Sequence, residues 1–175
     1  MKRAAFIFIL LLAFSFAKAQ STAGITGERD TSYNILNEFN KHLKNYPAIQ
    51  IVKEKSYQYI AEEKNIAYCH TKERELKLDV FYPTEKTEKK RTAVIFIHGG
   101  GWRSGNKAMH YPLLQELAAL GYVCITPEYR LSTEALYPAA IYDIKSAIRW
   151  VRKNAAKYNI DINKIVAAGH SAGGE

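Results

Sequence analysis

Residues 164–173 read KIVAAGHSAG and carry the strongest fold signal in the chain. After Lys164 the first half is continuously apolar, which indicates a strand buried on both faces of a sheet. The second half matches G-x-S-x-G directly after that strand. In this context the pattern predicts a strained turn between a strand and a helix, with Ser171 exposed above the carboxyl end of the sheet. Gly169 and Gly173 would keep the turn free of side-chain clashes.

A second glycine-rich segment, HGGGW at residues 98–102, also follows an apolar strand. Acyl transfer creates an oxyanion, and backbone N–H groups must point at it. A glycine run lets the backbone approach closely, and the N–H of Ala172 would add a donor from the turn around Ser171. For residues 169–173 the alternative is a glycine-rich turn between a strand and a helix with a phosphate or nothing bound, and for residues 98–102 it is a phosphate-binding loop. We discount it for residues 98–102, which lack a P-loop ending and the G-x-G-x-x-G spacing.

Strands and helices alternate through the rest of the chain. The predicted elements are a helix at 32–45, strands at 65–69 and 76–82, a strand at 92–98, a helix at 108–120, a strand at 122–126, a helix at 138–157 that has Pro138 in its first turn, and a strand at 164–168. The first two strands resemble an antiparallel pair. The later ones, separated by long helices, predict an α/β fold with a mostly parallel sheet and helices on both faces.

Composition supports a globular chain. The 175 residues are 47% hydrophobic and 24% charged, which excludes disordered and collagen-like proteins and leaves room for one domain or part of a larger one. Two cysteines exclude a disulfide-rich scaffold. We expect Cys69 and Cys124 to be unpaired thiols, although a disulfide between them stays open.

The first nineteen residues have the pattern of a secretory signal peptide. A cationic start precedes an apolar run at 4–17, and small residues at Ala17 and Ala19 predict cleavage after Ala19. The apolar run is shorter than the roughly 20 residues that span a bilayer, so an uncleaved anchor is the weaker alternative. We therefore expect a secreted or periplasmic protein that has no stable membrane insertion after cleavage.

Signal removal also changes the interpretation of the charge. It takes away three cations and lowers the formal charge from +8 to +5. The densest basic run, residues 86–91, lies between strands and lacks any nucleic-acid motif, so we expect a solvated loop and no nucleic-acid partner. We divide the chain into a signal peptide at 1–19, an N-terminal extension with a helix at 20–64, and the main domain at 65–175.

Residues 65–174 resemble the α/β-hydrolase fold, and within it the esterase and lipase branch with an HGGGW-type loop. EYRL at 128–131, YPAA at 137–140 and Asp143 are similar to the matching region of hormone-sensitive-lipase-like carboxylesterases and of bacterial acetylxylan and feruloyl esterases. The resemblance implies a serine esterase that acts on a small ester or an acylated carbohydrate, without a cofactor or metal. Its nucleophile would be Ser171.

The resemblance also implies roles for the residues around Ser171. The implied oxyanion donors are the N–H groups of Gly100, Gly101 and Ala172, and Trp102 would pack near the acyl site. The supporting residues are His98, Gly99, Trp102, Gly169, His170 and Gly173. We interpret Arg130 and Asp143 as a structural ion pair.

The histidines do not supply a general base. We expect His98 to hold the glycine segment by hydrogen bonds, and His170 cannot reach around the turn to Ser171. His42, His70 and His110 have no assigned role. In this fold the acid and the histidine follow the serine in chain order. Only four residues follow Ser171, so we expect a domain truncated after the strand at 164–168, with negligible activity as it stands.

Three functions are compatible with these features. The first is an exported carboxylic-ester hydrolase, with acetyl or feruloyl groups of plant polysaccharide as its candidate substrates. The second is a serine peptidase or amidase, similar to arylformamidases, on the same fold. The third is a non-catalytic binding module of the α/β-hydrolase type.

Overall fold

A computed structural model of the protein describes residues 24–175, so the predicted signal peptide at 1–19 lies outside the described residues. The elements in chain order are α1 Ile35–Leu43, β1 Ile60–His70, β2 Glu75–Pro83, β3 Arg91–Ile97, α2 Tyr111–Ala119, β4 Val123–Pro127, α3 Ala139–Lys153 and β5 Ile160–Gly169. Short 3₁₀ helices lie at Lys107–His110, directly before α2, and at Ser171–Gly174, directly after β5. Every predicted element is present, with bounds that differ from the predicted ones by at most five residues.

The five strands form one mixed sheet in the order β1-β2-β4-β3-β5. β3 runs parallel to both β4 and β5, whereas β2 runs antiparallel to both β1 and β4. The predicted antiparallel pair of β1 and β2 is therefore confirmed, and β4, β3 and β5 form the parallel half of the sheet. In that half Ile97 pairs with Gly169, so the carboxyl ends of β3 and β5 lie side by side.

Helices cover both faces of the sheet, as predicted. On one face Val80, Ile95 and Ile125 join a buried cluster with Val151 of α3. On the other face, the residues next to Val80 and Ile125 in sequence join a second buried cluster that includes Leu114 of α2. Side chains alternate across a strand, so consecutive apolar residues supply both faces. This explains why β4 is buried along its whole length.

The cysteines lie apart. Cys69 is on β1 and Cys124 is on β4, with β2 between them, and both are free thiols, as expected. Burial raises the pKa of the Cys124 thiol to about 12. Cys124 is therefore an inert core residue.

Two local predictions need correction. The strand at 164–168 was expected to be buried on both faces, but β5 lies at the edge of the described sheet and Val166 is 49% exposed. Apolar continuity alone does not show whether a neighbouring strand or helix covers the residues. Pro138 lies immediately before α3 rather than in its first turn.

Helix ends follow ordinary capping chemistry. The side chain of Asn34 accepts a hydrogen bond from the Asn37 N–H at 3.0 Å and so caps α1. Gly121, at φ 97°, follows the end of α2 in a left-handed conformation that glycine tolerates best.

Across residues 24–175 no helix is long and apolar enough to cross a membrane. The same residues contain no cluster of side chains that could hold a metal ion.

Candidate active site

Ser171 lies in a strained turn immediately after β5. Its φ is 53°, in the left-handed region that costs a residue with a β-carbon about 1–3 kcal/mol. The side chain is exposed, and its hydroxyl makes no hydrogen bond with any residue of the described chain. The backbone N–H of His170 donates to the Ile97 carbonyl at 3.3 Å and ties this turn to the end of β3. Residues 169–173 are called the elbow below.

Glycines make the elbow possible by close backbone contact. A β-carbon on Gly169 would lie 1.8 Å from the Gly173 carbonyl oxygen. A β-carbon on Gly173 would lie 2.2 Å from the Ile97 carbonyl oxygen. Both separations are far below any van der Waals contact, so these two positions require glycine. The elbow is thereby packed against the carboxyl end of β3.

The second motif meets the first at Ser171. A β-carbon on Gly99 would lie 2.7 Å from the His170 carbonyl oxygen and 3.2 Å from the Ser171 Cβ. Residues 98–105, called the glycine loop below, thus pass directly beside the elbow. Two sequence motifs far apart in the chain are brought into contact because β3 and β5 are neighbours in the sheet.

Two peptide groups of the glycine loop are anchored by their carbonyl oxygens. His98 Nδ1 donates to the Gly99 carbonyl at 2.8 Å, and the N–H groups of Arg103 and Ser104 donate to the Gly100 carbonyl at 3.1 and 3.0 Å. A trans peptide is planar, so its N–H points away from its carbonyl. Anchoring these carbonyls therefore fixes the directions of the Gly100 and Gly101 N–H groups.

Those N–H groups are available to a ligand. Within residues 24–175, neither the Gly100 N–H nor the Gly101 N–H donates to a protein acceptor. Ala172, the residue after Ser171, is buried in the first turn of the short helix, where N–H groups lack intrahelical partners. The glycine loop that carries Gly100 and Gly101 packs against the elbow that carries Ser171 and Ala172. The assignment of these three N–H groups as oxyanion donors stays a prediction.

His98 lies beneath the glycine loop rather than beside Ser171. Its ring stacks on Tyr129 with centroids 4.4 Å apart, and the Tyr129 hydroxyl donates to the His98 carbonyl at 2.8 Å. Burial lowers the pKa of His98 to about 4, so the ring is neutral at neutral pH. A neutral ring whose Nδ1 donates to Gly99 holds the loop and does not act as the base for Ser171.

None of the remaining histidines forms a hydrogen bond with the Ser171 hydroxyl within residues 24–175. His170 faces His110, with ring centroids 5.8 Å apart, and makes no hydrogen bond to Ser171. His110 ends a 3₁₀ helix, and burial together with the nearby His170 lowers its pKa. His42 is on α1 and His70 ends β1.

Trp102 borders an apolar cavity next to the elbow. The cavity has a volume of about 210 Å³ and is also lined by Ala172, Tyr129 and Ile141. Trp102 is 41% exposed, and its carbonyl accepts a hydrogen bond from the Ser132 N–H at 2.7 Å. The indole thus lies beside Ala172, in an apolar space of the size that a small acyl or alcohol group occupies.

Arg130 and Asp143 form the predicted ion pair. Asp143 is only 2% exposed, and it accepts three hydrogen bonds from Arg130, from the backbone N–H, Nε and Nη2, all at 2.9–3.0 Å. Arg130 also contacts Glu73 at 3.1 Å. The pair fastens the loop after β4 to α3, away from Ser171.

One buried charge cluster has no signal in the sequence. Asp79 is fully buried and contacts Lys107 Nζ at 2.6 and 2.7 Å, while Lys107 also donates to Asn65 at 3.0 Å. The alternating pattern of β2 would place Asp79 on an exposed polar face. It is buried because Tyr111 of α2, whose hydroxyl donates to it, covers that face.

Comparison with known proteins identifies the family. Residues 78–175, more than half of the chain, match the BD-FAE family. Esterase LipC of Mycobacterium tuberculosis is 41% identical over 98 residues, which cover 55% of this chain and 24% of LipC. Arylacetamide deacetylase of Bos taurus is 30% identical over 170 residues, which cover 94% of this chain and 40% of that protein.

Solved structures show the same relationship. A thermophilic esterase from Thermogutta terrifontis, Est2, superimposes with a TM-score of 0.59 at 37% identity, covering 63% of this chain and 40% of Est2. Est2 is also known in a form phosphorylated by paraoxon. The chain spans between about a quarter and two fifths of the length of these relatives.

Proposed function

The chain belongs to the BD-FAE family, an α/β-hydrolase esterase family, and on that premise we propose that the protein hydrolyses carboxylic esters through an acyl-enzyme on Ser171. One observation carries the proposal. The strained, exposed Ser171 lies against a glycine loop whose Gly100 and Gly101 N–H groups have no acceptor within residues 24–175. A nucleophile beside free backbone donors is the arrangement that acyl transfer requires.

The reaction has two stages. Ser171 Oγ attacks the ester carbonyl carbon and loses its proton to a base, while the carbonyl oxygen becomes an oxyanion that accepts hydrogen bonds from Gly100, Gly101 and Ala172. Collapse expels the alcohol, which takes the proton, and leaves an acyl-serine. Water then attacks the acyl-serine and releases the carboxylic acid. Each oxyanion donor is worth about 2.7–4 kcal/mol of barrier.

Residues 24–175 contain the proposed nucleophile and the proposed oxyanion donors, but no side chain among them is placed to act as the base for Ser171. Serine is a weak nucleophile without an adjacent base, and the Ser171 hydroxyl contacts no imidazole in this part of the protein. Residues 1–175 alone are therefore expected to turn over esters only slightly faster than background. Saturable hydrolysis of p-nitrophenyl acetate by residues 1–175 would contradict this part of the proposal.

The substrate and location are proposed from the sequence. The cavity of about 210 Å³ beside Trp102 accommodates a short acyl group, such as acetate. The predicted signal peptide at 1–19 would export the protein, where acetylated or feruloylated polysaccharide is an available ester. Comparing release of acetate from acetylated xylan with hydrolysis of methyl ferulate would separate the two acyl groups.

Amide hydrolysis is the second candidate. It is favoured by the relative of Bos taurus that covers most of this chain, whose name is arylacetamide deacetylase. Matched p-nitrophenyl acetate and p-nitroacetanilide present the same acyl group on an ester and on an amide. p-Nitrophenyl acetate is intrinsically far more reactive, so amidases hydrolyse it as well. Ester turnover without measurable anilide turnover supports the main proposal, whereas anilide turnover that is lost in Ser171→Ala supports amidase activity.

The central test compares three proteins, each expressed as its gene encodes it. They are the wild type, Ser171→Ala, and a control, Ser146→Ala, which removes a serine on α3 away from the elbow. The proposal predicts that Ser171→Ala loses ester turnover by at least about 10³-fold while Ser146→Ala keeps it. Equal activity in Ser171→Ala and the wild type would exclude Ser171 as the nucleophile.

A further inference from the structure

A short N-terminal segment, residues 26–30, lies across the loop after β4 and is called the strap. The N–H groups of Thr26 and Gly27 both donate to the Thr133 carbonyl at 2.9 Å. These bonds join residues about a hundred positions apart in the chain. The start of the strap is thereby fixed to the body of the domain.

The end of the strap contacts the glycine loop. Asp30 forms a parallel bridge with Ser104, and its carboxylate lies 3.4 Å from Arg103 Nε. A hydrogen bond from Ser32, together with the nearby Arg103, holds the pKa of Asp30 below its usual value. The carboxylate therefore stays charged at neutral pH, when an esterase of this type would act.

Ser104 is the residue that sets the geometry of a proposed oxyanion donor. Its N–H and Oγ donate to the Gly100 carbonyl at 3.0 and 3.3 Å, and the Arg103 N–H donates to the same oxygen. The Gly100 carbonyl and the Gly101 N–H belong to one planar peptide. The position of residues 103–104 therefore fixes the direction of the Gly101 N–H.

We propose that Asp30 is a positioning residue for the oxyanion hole and acts through Arg103 and Ser104. The strap bonds to residues 103 and 104, the part of the glycine loop that holds the Gly100 carbonyl. This inference rests on the proposed function. It gives the N-terminal extension a part in the reaction, although no strap residue touches the reacting atoms.

The test uses Asp30→Ala with Glu28→Ala as the matched control. Glu28 is in the strap and exposed, and its side chain makes no hydrogen bond within residues 24–175. We expect Asp30→Ala to lower kcat on p-nitrophenyl acetate by about threefold with KM unchanged, because the ion pair with Arg103 is exposed, the backbone bridge to Ser104 remains, and misplacing one donor weakens only transition-state binding. Hydrogen exchange of the amides at 99–104 should accelerate in Asp30→Ala and not in Glu28→Ala.

Each outcome decides a separate point. If Asp30→Ala matches Glu28→Ala in both kcat and exchange, Asp30 does not position the loop. A fall in melting temperature that accounts for the lost activity would show a structural role only and would also overturn the proposal. A wild-type protein without ester turnover would overturn the proposed function and with it the assignment of Asp30. The exchange data would still show whether the strap holds the glycine loop.

Discussion

Ser171 has a left-handed φ of 53° within an elbow whose glycines are in close contact with one another and with β3. Gly169 and Gly173 allow the chain to turn back within van der Waals contact of β3. The strain of about 1–3 kcal/mol is offset by the packing of the elbow on the sheet. The reactive geometry at this residue therefore depends on backbone contacts that single methyl groups would block.

Gly173→Ala tests that dependence. Its new β-carbon would meet the Ile97 carbonyl oxygen at 2.2 Å, so we expect the free energy of unfolding to fall by about 1–3 kcal/mol, with loss of ester hydrolysis. Gly174→Ala is the matched control, since its β-carbon would have no neighbour closer than 3.5 Å. Urea unfolding of both variants measures the difference. Equal destabilisation would mean that the elbow does not pack on β3 as described.

His98 predicts a pH dependence of stability. Its pKa is about 4 in the folded protein and about 6.5 in the unfolded chain, so the unfolded state binds the proton first as pH falls. Its contribution to stability is complete above about pH 6.5 and is lost as pH falls towards 4, by about 2–3 kcal/mol at pH 4.5.

The measurement compares the free energy of unfolding at pH 7 and pH 4.5 in the wild type and in His98→Asn. The variant should lose less stability between the two pH values, because asparagine does not titrate there. An unchanged difference between the two pH values in His98→Asn would show that His98 is not held neutral by burial.

At the scale of elements, the loop after β4 is attached to α3 by Arg130 and Asp143. A double-mutant cycle with Arg130→Ala and Asp143→Ala should give a coupling energy of about 1–3 kcal/mol, because the buried carboxylate accepts three hydrogen bonds. The exposed pair Lys164–Asp161 is the control and should couple by less than about 0.5 kcal/mol. A coupling energy near zero at Arg130 and Asp143 would contradict the structural role.

The elements that sequence reasoning predicted well are those that depend on local patterns. Apolar continuity identified β3 and β4, and glycine with serine at fixed spacing identified the elbow. Burial could not be predicted where it depends on distant residues. Asp79 is in an alternating strand, yet Tyr111 covers it, and Val166 is in an apolar strand, yet it is half exposed at the sheet edge. The strap was missed for the same reason, since its partners are about a hundred residues away.

At the scale of the whole molecule, β5 forms an edge of the described sheet. Its exposed apolar side chains, Val166 at 49% and Ile162 at 57%, are the kind of surface that pairs with another chain. We expect residues 1–175 to self-associate as concentration rises, and Val166→Lys to reduce this. Val52→Lys is the control, because Val52 is 71% exposed outside the sheet. Light scattering that responds equally to both substitutions would exclude β5 as the contact.

The fold as a whole packs the glycine loop against the elbow at Ser171 and joins the strap to residues 103–104 of that loop. This packing is the basis for the proposal that the site hydrolyses esters and is not a binding surface alone. A catalytic serine reacts with an organophosphate, as Est2 does with paraoxon, whereas a serine in a binding module does not.

The most direct test is mass spectrometry of the protein, expressed as its gene encodes it, after incubation with paraoxon. The proposal predicts one phosphoryl adduct on Ser171, which is absent in Ser171→Ala and present in Ser146→Ala. The adduct should form at the same rate as paraoxon inhibits ester hydrolysis. An adduct on another residue, or inhibition without modification of Ser171, would contradict Ser171 as the nucleophile of this protein.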